Sequence, residues 1–308
     1  MTFLFLGDMG RAAKMRAVFA AEAPDIAFHD RETPGDAATV RYLATWTPPA
    51  DLASRHPGLE LVFSTGAGVD QFDMGLLPPQ VSVVRLVEKH LIDGMVEYVC
   101  AAALSLHRDF FAYARAQRGE RWQELPVLLA PRRRISILGA GELGRGVIAG
   151  LAPFGFPLSA WSRSPRTIEH AAHYSGDDGL TQMLAATDIL VCLLPLTAQT
   201  TGVLCRDLFA KLPRGACLIN VGRGGHLVEN DLLAALDDGQ LSQAVLDVTA
   251  PEPLPAGHPF WQHPRILLTP HIASVTDPAM AARAMIANIR RHREGLAPEG
   301  LVRRDMGY

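Results

Sequence analysis

The chain has 308 residues, of which 48% are hydrophobic and 20% are charged, and its formal net charge is -3. This length suits two domains of ordinary size, and the composition excludes a disordered chain and a membrane-embedded one. The negative net charge gives no basic surface for nucleic acid, so the arginine run at residues 132–134 is interpreted as solvated surface.

The cysteines and the first residues bear on the cellular compartment. The cysteines form no CxxC pair and lie mostly in apolar stretches, which is typical of reduced thiols. They are Cys100, Cys192, Cys205 and Cys217. The opening MTFLFLGDMG reaches Gly7 and Asp8 before an export signal or a membrane span could form. We therefore expect a cytoplasmic protein without an export signal.

The first third of the chain alternates short apolar strands with turns and a helix. A buried strand at residues 2–6 ends at Gly7, and a helix at residues 11–21 follows it. Further strands are predicted at residues 40–44, 59–63 and 81–86, between the turn segments TWTPP, RHPG and LLPPQ. This alternation predicts a first parallel sheet.

A second set of strands and helices follows a helical region. Residues 93–118 contain few helix breakers, which predicts one long helix or two abutting ones, and a polar connection at residues 119–134 comes next. The strands predicted after it are residues 135–138, 158–161, 189–193, 216–220, 243–247 and 266–269. The helices predicted there are residues 142–153, 229–237 and 276–291. This pattern predicts a second doubly wound α/β domain.

A glycine-rich loop opens this second domain. ISILGAGELG places Gly139, Gly141 and Gly144 directly after a strand and at the start of a helix, which is the context that a dinucleotide-binding GxGxxG loop requires. The glycines allow the tight turn, the approach of a pyrophosphate and close helix packing, and the helix N-terminus faces the phosphates. The alternative is a strand-to-helix turn without a ligand. The predicted cofactor loop is Gly139, Ala140, Gly141, Glu142, Leu143 and Gly144.

The end of the next strand bears on which dinucleotide binds. NAD-binding proteins usually place an acidic residue there, which accepts a hydrogen bond from the ribose 2′-hydroxyl. Here the sequence is LSAWSRSPR, with Ser162 at that position and Arg163, Ser164 and Arg166 after it. Cations and hydroxyls suit a 2′-phosphate, so we predict NADP(H) over NAD(H), with NAD(H) still possible. The alternative is that both arginines are ordinary surface residues.

Six ordered motifs resemble the D-isomer-specific 2-hydroxyacid dehydrogenase family, and within it the glyoxylate/hydroxypyruvate reductase A branch. The resemblance covers nearly the full length. It lies in STGAGVDQF at residues 64–72, GAGELG at 139–144, CLLPLTAQTTG at 192–202, INVGRGG at 219–225, LDVTAPEPLP at 246–255 and LTPHIAS at 268–274. The resemblance implies two doubly wound domains, flavodoxin-like and Rossmann, that flank an active-site cleft.

The family's catalytic Arg, Glu and His match Arg223, Glu252 and His271. Reduction of a 2-oxo acid builds negative charge on the carbonyl oxygen, so a positioned proton donor such as His271 lowers the barrier. A carboxylate such as Glu252 favours the protonated imidazole and orients it, and Arg223 can bind the substrate carboxylate. Taken singly, each also has a structural explanation: a buried histidine, a glutamate at a proline-rich turn and an arginine in a glycine loop.

The resemblance also implies further binding residues. In the first domain, backbone N–H groups of Ala67, Gly68 and Val69 would clamp the substrate carboxylate, although an ordinary strand-ending turn explains this segment too. Trp46 would lie near the cleft mouth, although core packing explains a single tryptophan equally well. Arg223 and His271 complete this substrate set. The remaining cofactor candidates are Leu194, Pro195, Val221, Gly222, Arg223, Asp247, His271, Ala273 and Ser274, among which Leu194 and Val221 equally fit core packing.

The sequence thus predicts a substrate-binding domain at residues 1–95 plus 275–308 and a dinucleotide-binding domain at residues 96–274. The predicted function is an NADPH-preferring reductase of small 2-oxo acids, giving D-2-hydroxy acids, with glyoxylate or hydroxypyruvate as expected substrates and no metal. The alternative is a nucleotide-sensing, corepressor-like binding protein of the same fold. By family analogy residues 93–118 would form the surface of a homodimer. Preferred substrate and physiological direction stay open.

Overall fold

The computed structural model describes residues 1–304, and the chain divides into two compact units. Unit 1 is Met1–Leu91 with Val275–Tyr308, and unit 2 is Ile92–Ser274. The sequence-based boundary after residue 95 lies four residues further along the chain than the boundary after Leu91. Within residues 1–304, no helix has both the length and the apolar character needed to cross a bilayer.

The secondary structure follows the alternation that the sequence predicts. The strands are β1 Thr2–Leu6, β2 Ala27–Asp30, β3 Val40–Thr45, β4 Leu61–Ser64, β5 Ser82–Val84, β6 Ile135–Leu138, β7 Leu158–Ser162, β8 Ala172–Ser175, β9 Ile189–Cys192, β10 Ala216–Asn220, β11 Leu241–Leu246 and β12 Ile266–Leu268. The helices are α1 Met9–Glu22, α2 Leu52–Arg55, α3 Lys89–His107, α4 Phe110–Arg118, α5 Glu142–Leu151, α6 Gly176–Ala185, α7 Arg206–Phe209, α8 Glu229–Asp237 and α9 Pro278–Arg293.

Unit 1 is a five-stranded parallel sheet in the order β2-β1-β3-β4-β5, which is the flavodoxin-like arrangement. On one face, Phe3 and Phe63 pack with Phe19 of α1 and Ile289 of α9. Fully burying each such side chain stabilises the unit by about 1.5–3 kcal/mol. Both faces of the sheet are covered, since a second cluster around Leu43 and Val62 lies apart from the first.

Unit 2 is a seven-stranded parallel sheet in the order β12-β11-β10-β9-β6-β7-β8. Its first strand in the chain, β6, lies between β7 and β9, so the strand order reverses between β6 and β9. In open α/β sheets, ligands bind at such a switch point, outside the carboxyl ends of the strands. The fold therefore confirms the prediction of two doubly wound parallel-sheet domains.

The predicted long helix is two helices that break at Asp109. This residue adopts a left-handed backbone with φ 56, which ends the first helical run before α4 begins. An α-helix cannot continue through a left-handed residue, so the second of the two sequence-based alternatives is correct. Residues 119–134 form the predicted connection, which contains only a short 3₁₀ turn at Ala130–Arg132.

Candidate functional site

The glycine-rich loop between β6 and α5 has the geometry of a phosphate cradle. Gly139 has a φ of 108, and a Cβ at Gly144 would lie 1.9 Å from the carbonyl oxygen of Gly139, so this tight packing of helix on loop requires glycine. A Cβ built at Gly141 would meet no atom within 4 Å, so open space lies in front of the loop. The N-terminus of α5 carries the unpaired N–H groups that bind anions. The loop therefore fits a dinucleotide pyrophosphate.

The end of β7 places Ser162 between two polar neighbours. Its hydroxyl donates to the carbonyl oxygen of Ser164 at 2.9 Å, and its Oγ lies 2.8 Å from Nε2 of His173 on β8. Because the single hydroxyl proton is used on Ser164, the His173 ring donates to Ser162. Burial and then the Arg166 guanidinium lower the pKa of His173. Sequence reasoning missed His173, since no motif includes it.

Two arginines, Arg163 and Arg166, follow this serine. Arg166 donates from Nη1 to the carbonyl oxygen of Ala140 at 3.2 Å, so it links the segment after β7 to the glycine-rich loop. Arg163 and Ser164 are exposed beside it. Guanidinium and hydroxyl groups at this strand end can accept a 2′-phosphate, whereas none of Ser162, Arg163, Ser164 and Arg166 supplies the carboxylate that a 2′-hydroxyl prefers.

The carboxylate of Glu252 and the imidazole of His271, the proposed proton donor, lie together. Nδ1 of His271 is 2.7 Å from Oε2 of Glu252, and the other carboxylate oxygen accepts from the N–H of Thr249 at 3.0 Å. Both side chains are about one-third exposed, at 34% for His271 and 38% for Glu252. Because Glu252 occupies Nδ1, the opposite ring nitrogen, Nε2, can exchange a proton with a bound molecule. The pair has the form of an oriented general acid or base.

Asp247 holds the turn that carries His271. One carboxylate oxygen accepts from the Thr269 hydroxyl at 2.6 Å and from the N–H of Ile272 at 2.8 Å, and the other accepts from the N–H of Ala273 at 2.8 Å. Asp247 is buried, with 1% of its surface exposed. His271 has a left-handed backbone with φ 55, which costs about 1–2 kcal/mol outside glycine. The bonds to Asp247 offset this cost and fix the turn.

Tyr98 of α3 extends the same network, and sequence reasoning missed it. Its hydroxyl lies 2.5 Å from Oγ1 of Thr269, and because the Thr269 proton is used on Asp247, Tyr98 is the donor. Burial raises the pKa of Tyr98 to about 12, and the charge of Asp247 adds to the rise. The turn is therefore supported from the helix layer by a side chain that stays protonated.

Arg223 lies in the loop after β10, close to the loop that carries Glu252. A Cβ at Gly224 would lie 2.0 Å from the carbonyl carbon of Thr249, so the two loops contact each other through bare backbone. Nη1 of Arg223 donates to the carbonyl oxygen of Gly222 at 2.8 Å. The structure thus brings the Arg223 and Glu252 loops together within unit 2, as the order of the motifs suggests.

The other candidates of unit 2 lie at the same edge of the sheet. Leu194 and Pro195 follow β9, Val221 and Gly222 follow β10, and Ala273 and Ser274 follow the His271 turn. Leu194 and Val221 are buried in apolar clusters, as the packing alternative expects. The three bonds of Asp247 explain that residue structurally, and its predicted contact with the nicotinamide amide stays a prediction.

Three of the unit 1 candidates, Ala67, Gly68 and Val69, lie in one turn after β4, and Trp46 directly follows β3. The Ser64 hydroxyl donates to the carbonyl oxygen of Gly68 at 2.7 Å, and the Val69 side chain is buried. The ring of Trp46 covers Gly66, where a Cβ would lie 2.8 Å from it. Within residues 1–304 the backbone N–H groups of Ala67, Gly68 and Val69 donate no hydrogen bond, which suits an anion clamp.

No group of three or more His, Cys, Asp and Glu side chains in the described part of the chain could hold a metal ion.

Comparisons with known proteins identify the family of the chain. Residues 100–273 match the family described as D-isomer specific 2-hydroxyacid dehydrogenase, NAD binding domain. A glyoxylate/hydroxypyruvate reductase A from Yersinia enterocolitica is 42% identical over 280 residues, which cover 89% of this chain and 90% of the relative. One from Serratia proteamaculans is 41% identical over 281 residues, with the same coverage of 89% and 90%.

Two solved structures match over the whole length. A D-isomer specific 2-hydroxyacid dehydrogenase from Xanthobacter autotrophicus Py2, in complex with NADPH and MES, has a TM-score of 0.95 at 36% identity and covers 100% of this chain and 99% of its own. An NADPH-dependent glyoxylate/hydroxypyruvate reductase from Sinorhizobium meliloti, in complex with NADP and sulfate, has a TM-score of 0.93 at 36% identity, with coverage of 100% and 99%.

Proposed function

The chain belongs to the D-isomer specific 2-hydroxyacid dehydrogenase family, and from this premise we propose that it is an NADPH-preferring reductase of small 2-oxo acids. The products are D-2-hydroxy acids, and glyoxylate and hydroxypyruvate are the expected substrates, as in the names of its relatives. The observation that carries the proposal is the contact of 2.7 Å between His271 and Glu252 on a turn fixed by Asp247. No observation on the described residues favours the corepressor-like alternative.

His271 is the proton donor in this proposal. The reduced nicotinamide, when bound, supplies the hydride for the keto carbon. His271 holds a proton at Nε2 and transfers it to the carbonyl oxygen as that oxygen gains negative charge. Glu252 keeps the ring oriented through its contact with Nδ1. In the oxidative direction the same ring takes the proton back.

Arg223 and the turn of unit 1 bind the substrate. The guanidinium stays charged at every working pH, so Arg223 can hold the substrate carboxylate and polarise its carbonyl group. Within unit 1, the N–H groups of Ala67, Gly68 and Val69 are neutral donors that suit a carboxylate, and Trp46 is a further candidate for binding the substrate.

The cofactor assignment rests on the end of β7 and on the glycine-rich loop. Gly139 to Gly144 and the start of α5 hold the pyrophosphate, and Ser162, Arg163, Ser164 and Arg166 hold the 2′-phosphate. Leu194 and Pro195 would lie on the adenosine side and Val221 and Gly222 near the nicotinamide ribose. Asp247 would lie near the nicotinamide amide, and Ala273 and Ser274 are further cofactor candidates. The relatives solved with NADPH and NADP support this preference.

The assembly and the compartment are part of the same proposal. We propose a homodimer in the cytoplasm, without nucleic-acid or membrane partners. The free thiols of all four cysteines suit a reducing compartment. The dimer is supported by exposed apolar side chains on α4 and after it, including Phe110 at 58% and Trp122 at 99% exposure.

A screen of NADPH oxidation tests the function. Glyoxylate, hydroxypyruvate, pyruvate, phenylpyruvate and 2-ketogluconate are offered in turn, and turnover is followed at 340 nm with NADPH and then with NADH. We expect the highest kcat/KM with glyoxylate or hydroxypyruvate and a preference for NADPH. No steady turnover with any of the five acids would remove the proposal, and a tenfold preference for NADH would remove its cofactor assignment.

His271→Gln tests the proton donor. Glutamine preserves size and polarity but cannot transfer a proton, so kcat should fall by about a hundredfold or more. The matched control is His258→Gln, because His258 also lies 3.1 Å from a glutamate, Glu229, but outside the site. We expect the control to retain most of its kcat. A loss under about threefold in His271→Gln would mean that another residue donates the proton.

A further inference from the structure

His226 is a histidine that the proposed chemistry does not use. It follows Arg223 by three residues, in the 3₁₀ turn Gly224–His226. Its side chain is completely buried, at 0% exposure. An imidazole carries two polar atoms, so its burial requires a partner for each ring nitrogen. The partners found in the structure connect it to the candidate site.

Both ring nitrogens are bound to backbone groups. The N–H of Arg223 donates to Nδ1 at 3.0 Å, and Nε2 lies 3.3 Å from the carbonyl oxygen of Pro195. A backbone N–H can only donate and a carbonyl oxygen can only accept, so Nδ1 is unprotonated and Nε2 carries the hydrogen. The ring is therefore a neutral bridge between the loop after β9 and the loop after β10.

This bridge completes the support of Arg223. The side-chain amide of Asn220 donates to the Arg223 carbonyl oxygen at 3.1 Å, and its oxygen accepts from the Gly222 N–H at 3.2 Å. Asn220 is also completely buried. The peptide groups before and after the Arg223 Cα are thus both held by side chains. An arginine has many rotamers, so the direction of its Cα–Cβ bond decides which positions its guanidinium can reach.

We propose that His226 is the positioning residue of Arg223: its neutral imidazole fixes the Arg223 backbone so that the guanidinium faces the carboxylate of the 2-oxo acid. The inference rests on the proposed reductase function. It assigns a role that a purely apolar ring could not fill, since phenylalanine offers neither an acceptor for the Arg223 N–H nor a donor for the Pro195 carbonyl. It also explains Gly222, where a Cβ would lie 2.9 Å from the ring.

Two substitutions of His226 test the contact between its ring and the Arg223 N–H. His226→Asn keeps an acceptor near the position of Nδ1, whereas His226→Leu has similar volume and removes both contacts. In His226→Leu we expect kcat/KM for glyoxylate or hydroxypyruvate to fall by about tenfold to a hundredfold, because a small displacement of a binding group has this effect. His226→Asn should stay within about threefold of the wild type, and NADPH affinity from fluorescence titration should change little in both.

A double-mutant cycle with Arg223→Ala distinguishes positioning from general stability. If His226 acts through Arg223, His226→Leu should cause little further loss of kcat/KM in the Arg223→Ala background. A loss of the same factor in both backgrounds, or equal losses in the Asn and Leu variants, would overturn the proposal. An inactive wild type would refute the reductase function itself. NADPH binding also serves as a check on folding, because a folded His226 variant should still bind NADPH.

A second comparison covers the case in which His226→Leu does not fold, as judged by circular dichroism. His226→Gln places its amide near the position of Nε2, so it keeps the Pro195 contact and lacks the acceptor for Arg223. The proposal expects kcat/KM to be higher in His226→Asn than in His226→Gln. The reverse order would overturn it, because it would make the Pro195 contact the important one.

Discussion

At the end of β7, single residues decide which cofactor the chain selects. Ser162 occupies the position at which a carboxylate would bind a ribose 2′-hydroxyl. Its hydroxyl is held by Ser164 and by His173, and Arg166 is held by the Ala140 carbonyl oxygen. These bonds fix the polar groups before any ligand arrives, so little side-chain freedom is lost on binding a 2′-phosphate. The local contacts thus strengthen a preference that residue types alone only suggest.

Substitutions at this strand end should change the preference between NADPH and NADH. Arg166→Ala removes a charged partner of the 2′-phosphate, which is equivalent to about 1.5–3 kcal/mol, so kcat/KM for NADPH should fall about tenfold or more. kcat/KM for NADH should change much less, because NADH lacks that phosphate. The double variant Ser162→Asp/Arg166→Ala should reverse the preference, since the new carboxylate repels a phosphate and accepts from a hydroxyl.

The control for this series is Arg206→Ala. Arg206 is an exposed arginine at the start of α7 in unit 2, and it pairs with Asp231 of α8 at 3.6 Å. Its replacement should leave the ratio of the two kcat/KM values unchanged. If Arg166→Ala reduced activity with both cofactors by the same factor, Arg166 would serve the loop structure through Ala140 and not the choice of cofactor.

At the scale of elements, the sequence predicts the strands that carry apolar runs, including the edge strands β5 and β12, and misses two polar edge strands. β2 and β8 were not predicted, and each lies at the edge of its sheet and consists mostly of polar or half-exposed residues. β2 and β8 are stabilised as strands by their hydrogen bonds to β1 and β7, and neither contains the apolar run by which a strand is recognised in a sequence. α6 was missed for another reason: it begins Gly-Asp-Asp-Gly, which is unfavourable for a helix interior.

The candidate site divides in the same way. The positions at strand ends could be predicted, because the carboxyl edge of a parallel sheet collects whatever follows each strand. The supporting contacts could not, since Tyr98 and Thr269 are 171 residues apart in sequence and meet only through the fold. His226 carried a local signal, as the third residue after Arg223, but only its burial shows that both ring nitrogens are used.

The contact between the Arg223 loop and the Glu252 loop yields a prediction about the adjacent glycines. Gly224→Ala would place a Cβ 2.0 Å from the Thr249 carbonyl carbon and 2.5 Å from the Ala250 nitrogen, so the two loops must separate. We expect kcat/KM for the 2-oxo acid to fall by about a hundredfold, because Arg223 and Glu252 lose their alignment. NADPH affinity, measured by fluorescence titration, should change little.

Gly225→Ala is the matched control for this contact. Its Cβ would meet only the flexible end of the Leu196 side chain, at 3.1 Å, which can move aside. We expect kcat/KM within about threefold of the wild type, since no backbone has to shift. Equal losses of kcat/KM in Gly224→Ala and Gly225→Ala would show that the turn accepts a side chain at neither position. The close contact between the Arg223 loop and the Glu252 loop would then not be the cause of the loss.

At the scale of the whole molecule, the exposed apolar surface of unit 2 predicts self-association. Residues 119–134 carry Trp122 at 99%, Val127 at 72% and Leu129 at 67% exposure, and α4 before them exposes Phe110 and Tyr113. Large apolar side chains grouped in this way mark an interaction site, and closed twofold dimers are the commonest outcome for identical chains. The surface on α4 and in this connection therefore extends the helical dimer surface that the sequence predicts.

Replacing two of these side chains should separate the subunits. We expect light scattering after gel filtration to give twice the 33.3 kDa of one chain for the wild type, and the mass of a single chain for Trp122→Glu/Val127→Glu, because buried unpaired carboxylates oppose association. Leu296→Glu changes an exposed leucine of unit 1, at 50% exposure, and should leave the mass unchanged from the wild type. A wild type with the mass of one chain at micromolar concentration would contradict the dimer, and the exposed tryptophan would then need a different partner.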